Sequence, residues 1–72
     1  MQNIFTQNNI VLLGIDGGYI YGTTPAGKRF VIQQNHGTQK RSNENYSLWI
    51  AGPGTVITSG SVSACIEKIK AF

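Results

Sequence analysis

For its first two thirds the chain alternates short apolar runs with breaks rich in Gly, Pro and Asn, and a helical period appears only near its end. Residues 10–15 form an apolar run too short for an independent helix, which predicts a strand. Asp16-Gly17-Gly18 follows, and glycine supplies the positive φ that a tight hairpin demands. Residues 19–24 return as a second strand. At Pro25-Ala26-Gly27 proline presets φ for the next turn and glycine releases it, so residues 28–34 make a third strand. Residues 46–51 make a fourth, ended by Gly52-Pro53-Gly54, and residues 55–58 a short extended piece. Before all of these, Ile4-Phe5-Thr6 and the polar Gln7-Asn8-Asn9 predict an edge strand or a frayed terminus.

The helix signal is the clearest. Val62, Cys65, Ile66 and Ile69 fall at i, i+3, i+4 and i+7, one stripe of a 3.6-residue period. Ser59 and Ser61 are candidate N-caps, and Lys68 and Lys70 sit where positive charge suits the macrodipole. A helix over residues 61–71 is too short to stand alone in water, so it must dock its stripe on the sheet. The expected architecture is α+β: an antiparallel sheet of four to five strands with one C-terminal helix packed on one face, in a single domain spanning residues 1–72. A sheet curled into a small barrel is the alternative, with Gly14, Gly22 and the pair Gly52 and Gly54 at the bends.

Period-two alternation divides the strands into faces. Val11, Leu13, Ile15, Phe30, Ile32, Tyr46, Leu48 and Ile50 are expected to receive the helix. Leu12, Ile20, Arg29, Val31, Gln33, Ser47 and Trp49 are then left on the other side. That second set is too apolar for an open sheet face unless something covers it. The candidate coverings are a second copy of the chain, a protein partner anchored by Trp49 and Arg29, single-stranded nucleic acid stacked on Trp49, or the chain's own closure into a barrel.

Composition narrows the chemistry. Hydrophobic residues make up 40% of the 72, enough for one core, while charged residues make up only 12%, about half the usual share of roughly 25%. The excess of three positive charges is mild, although a basic domain is a common signature of nucleic-acid binding. The doublets Lys28-Arg29 and Lys40-Arg41 carry most of it, the second within a polar stretch over residues 35–45. A polar segment that long in so small a chain is functional or mobile. The single Cys65 cannot form an internal disulfide, which favours a reducing compartment. No apolar run reaches the roughly 20 residues of a membrane span, and Met1-Gln2-Asn3-Ile4 does not open like a signal peptide. The cytoplasm of a bacterium or of an infected host cell is therefore expected, with no membrane association.

Catalytic and metal sites each lack a second group. One Cys and one His do not make a zinc site, and Asp16, Glu44 and Glu67 show no calcium-loop spacing. Cys65 lies on the inner helical stripe, where a thiol acts as a small hydrophobe, and His36 has no acid at a useful spacing. Neither glycine-rich stretch matches a phosphate-binding loop. The expectation is a small non-enzymatic binding module without cofactor or metal. A protein partner is expected first, making the chain an inhibitor or regulator. Its candidate binding residues are Arg29, Trp49, Val31, Gln33, Lys28, Lys40 and Arg41. A nucleic-acid-binding domain using the basic and aromatic sheet face, and a structural homodimer, are the alternatives. In size and uncharged polar surface the chain resembles, in a general way, the accessory proteins of phages and mobile elements, many of which block host machinery by binding it.

Overall fold

A computed structural model describes residues 2–35 and 45–72. Five strands form one antiparallel meander in sequence order: β1 Val11–Asp16, β2 Tyr19–Thr23, β3 Arg29–Gln34, β4 Tyr46–Ile50 and β5 Gly54–Gly60. Because β1 and β5 pair on one side only, the sheet is open, and the barrel alternative is set aside. The expected α+β architecture is present, with the C-terminal helix α2 over Val62–Lys70. The short extended piece expected at residues 55–58 is a full seven-residue edge strand.

The turns follow their residue chemistry. Gly17 and Gly18 take φ of 55° and 89°, the left-handed pair that matches a two-residue hairpin to the twist of its strands. Thr24 closes the next turn by accepting the Lys28 amide on Oγ1 at 3.1 Å while its own amide donates to the Lys28 carbonyl at 2.7 Å. Ser61, not Ser59, caps α2, its Oγ accepting the Ala64 amide at 3.1 Å.

Phe30, Ile32, Leu48 and Ile50 line the inner face, as expected, and α2 lays Cys65, Ile66 and Ile69 on it. The expected division fails in β1 and at Ile20. Leu12 packs against the core and Ile20 is buried, whereas Val11, Leu13 and Ile15 are each half exposed. In β1 the cause is a bulge: the register shifts between Leu12 and Gly14, leaving Leu13 as the extra residue, while Ile20 on β2 lies inside because it pairs with the inner Ile32. One inserted residue reverses the parity of everything beyond it. Ile15 regains inner parity opposite Ile20, but it lies on the edge strand at 50% exposure.

Residues 4–6 are also not a strand. Gln2–Gln7 is a helix, α1, and its Phe5 is fully buried in the core. It ends in the manner of a Schellman motif: Asn9 takes a left-handed φ of 61°, and the Ile10 amide reaches back to the Phe5 carbonyl at 3.0 Å. Asparagine tolerates that conformation better than most non-glycine residues.

Burial pushes the Cys65 thiol up from 9.0 to about 11. The folded state therefore holds this proton more tightly than the unfolded chain does. The resulting stability is complete below pH 9 and is lost as pH rises through 11. Native chain at pH 8 is expected to react with an aromatic disulfide reagent far more slowly than denatured chain. Rates within about tenfold of each other would place the thiol at the surface.

Candidate functional site

The outer face of the sheet reads as three rows across the strands. The middle row runs Gly14, Tyr21, Val31, Trp49 and Thr55, each residue paired with the next. One flanking row runs Asp16, Tyr19, Gln33 and Ser47, and the other Val11, Thr23 and Arg29. Leu13, displaced by the bulge, joins Tyr21, Arg29, Val31 and Trp49 around one hollow. The register thus brings together four of the residues singled out from sequence, namely Arg29, Val31, Gln33 and Trp49, and adds Leu13, Tyr19 and Tyr21 to them.

The face is apolar for an uncovered surface. Val11, Leu13, Tyr19, Tyr21 and Trp49 are between 39% and 54% exposed. Two shallow hollows share Val31 and Trp49 as walls. One, of about 280 Å³, continues past Tyr21 and Arg29, and the other, of about 320 Å³, past Gln33, Ser47 and Thr55. One glycine shapes this relief, and a second draws the two strands together beneath it. At Gly14 a Cβ would collide with the Tyr21 ring, so its absence lets that ring lie across β1. At Gly22 a Cβ would overlap the Val11 carbonyl, so β1 and β2 meet there by backbone alone.

Charge is sparse on this side. Among the described residues only Arg29 and Asp16 bring a charged group to the outer rows. Lys28, counted from sequence with Arg29, holds its ammonium 5.9 Å from the centre of the Phe72 ring. Phe72 packs against the core on the helix side, which takes Lys28 away from Trp49. Strand alternation separates the doublet that the sequence presents as a pair. Glu67, Lys68 and Lys70 belong to α2, where Lys70 Nζ lies 3.5 Å from Glu67 Oε2. Lys40, Arg41, Glu44 and His36 lie outside the described residues. At the base of that segment the Asn35 amide donates to the Asn45 carbonyl at 2.7 Å, and Asn35 Nδ2 donates to the Thr58 carbonyl at 3.1 Å. Residue 35 thereby fastens the end of β3 to β5.

A third hollow, of about 510 Å³, follows the free edge of β1 beside Thr6. Backbone and apolar side chains wall it, so it offers no titratable group. Among the described residues no group of three His, Cys, Asp or Glu side chains gathers as a metal site, and no helix is long and apolar enough to cross a membrane.

Tyr19 and Tyr21 are outer-face residues absent from the candidates expected from sequence. Their spacing, i and i+2 within a strand, puts both on one face and was the available signal. No family model matches the chain, and no curated protein or solved structure proves similar to it.

Proposed function

We propose that this chain is a non-enzymatic binding module whose outer sheet face docks a protein. One observation carries the reading: a continuous row of Tyr21, Val31 and Trp49, with Leu13 beside it, stands open and almost free of charge. Tyr, Trp and Arg are the residue types that dominate interface energetics, and charged residues are depleted at interface centres. Both aromatics and Arg29 occur here around a pair of hollows suited to a partner's side chains.

Nucleic acid is the weaker reading. Trp49 offers a stacking surface, but binding without sequence preference needs a positively charged groove along the backbone. Among the described residues this face carries one cation. The test is site-specific photo-crosslinking in cells that express the chain. A benzophenone side chain at position 49 is expected to give protein adducts, and one at position 68, on the exposed side of α2, to give none. Adducts of equal yield at both positions, or none at 49, would refute the reading, and RNA or DNA adducts at 49 would replace it with the nucleic-acid one.

A further inference from the structure

The two charges on the outer face are placed as a symmetric contact would place them. Asp16 stands on β1 in one flanking row, and Arg29 stands on β3 in the other. Two strand spacings across and four residues along separate them, about 17 Å at standard sheet dimensions, too far to pair within one chain. The midpoint of that diagonal falls on β2 in the middle row, which is Tyr21. In a two-fold interface, residue i of one copy meets residue j of the other and j meets i. A two-fold axis lying between two such faces, over Tyr21 and perpendicular to the diagonal, carries Asp16 of each copy onto Arg29 of the other.

We propose that the partner of this face is a second copy of the chain, joined through a two-fold contact with Tyr21 at the axis and two reciprocal Asp16–Arg29 ion pairs at its flanks. The inference rests on the binding-face reading above and names the occupant. The geometry crosses the strands of the two copies steeply, in the orthogonal class of sheet packing. It sets Tyr21 against Tyr21 and seats Trp49 and Leu13 of each copy over the other's outer rows, which excludes water around the ion pairs. Like charges never meet in this arrangement, whereas sliding one copy along the other separates both pairs. The low charge of the chain, 12% of residues, leaves little repulsion to oppose it.

Sedimentation equilibrium on the full chain at physiological salt, across the micromolar range, tests the proposal. The wild-type chain is expected to be a dimer. Arg29→Asp alone and Asp16→Arg alone should each raise the dimer dissociation constant about tenfold or more, because each places like charges together twice. The double variant Asp16→Arg/Arg29→Asp restores opposite charges and should return the constant close to wild type. Both positions are exposed, and circular dichroism verifies that each variant is folded. Should a reversal unfold the chain, the neutral pair Asp16→Asn and Arg29→Gln is used, with an effect of the same sign. A dimer insensitive to single reversal, or a double variant that stays weak, would overturn the proposal. A monomeric wild type whose position 49 still crosslinks another protein would overturn it and leave the binding-face reading standing. A monomer with no adduct at position 49 would remove both.

Discussion

Replacing Phe30 with Ala is expected to cost about 3–5 kcal/mol of folding stability. The side chain is wholly buried, sits between Gly22 on β2 and Ile50 on β4, and lies under the helix. Because one neighbour is a glycine, little side-chain volume stands nearby to collapse into the space the ring vacates. At 0.05–0.15 kcal/mol per residue, a chain of 72 residues has a total stability of roughly 4–11 kcal/mol. The substitution therefore removes about a quarter of it at least and can unfold the chain outright. Denaturant titration of the two proteins measures the loss, and a loss below about 1 kcal/mol would place Phe30 outside the core.

Gly22→Ala is expected to do comparable damage by the opposite route, adding one methyl where none fits. The Cβ would overlap the carbonyl oxygen of Val11, and the Val11 carbonyl carbon and Leu12 Cα stand close behind it. All three are backbone atoms of the neighbouring strand, so no rotamer change relieves the clash. Overpacking ordinarily costs about 1–3 kcal/mol, and this site belongs at or above the top of that range. The hydrogen-bonded register of β1 on β2 must open to admit the methyl, which also disturbs the seats of Leu12 and Ile10. Gly17→Ala is the matched control. That position has φ of 55° with open space around the added Cβ, so it suffers only left-handed strain of about 1–2 kcal/mol. Thermal unfolding of both variants checks the order. A Gly22→Ala chain as stable as Gly17→Ala would mean that β1 does not lie against β2 as described.

The parts of this fold that were legible in the sequence are those set by local chemistry. Val62, Cys65, Ile66 and Ile69 specify one helical face at a fixed period, and Asp16-Gly17-Gly18 permits little other than a tight turn. Parity within β3 and β4 was also legible, because Arg29 and Gln33, or Ser47, mark the outer face on which Val31 and Trp49 also fall. In β1 alternation decides nothing. Val11, Leu12, Leu13 and Ile15 are apolar on both faces, and the bulge that decides between them shows only in the pairing with Gly22 and Tyr21 on the next strand. For α1 the difficulty was similar. Its six residues include only Ile4 and Phe5 as apolar members, and the helix exists because Phe5 docks in the core. Asn8-Asn9 at its end was the available local signal for a helix stop. The candidate site inherited both outcomes. Arg29, Val31, Gln33 and Trp49 were found together because β3 and β4 were read in the correct parity. Lys28 was included by proximity in sequence, although alternation sends it to the other side.

The central claim is that the outer row serves binding and not folding. Thermal unfolding of the wild-type chain and of a single variant carrying Leu13→Thr, Tyr21→Thr, Val31→Thr and Trp49→Thr, both at a concentration too low for self-association, tests it most directly. Threonine keeps the strand preference of these positions while removing their apolar surface. If the face is a docking surface, the variant unfolds cooperatively, with a midpoint lowered by no more than about 10 °C, equivalent to a loss of about 1–2 kcal/mol in a domain of this size. That is less than the single change at Phe30 produces. A variant that melts without cooperativity, or tens of degrees lower, would show that Tyr21, Val31 and Trp49 belong to the core that holds the chain together, and would contradict the account.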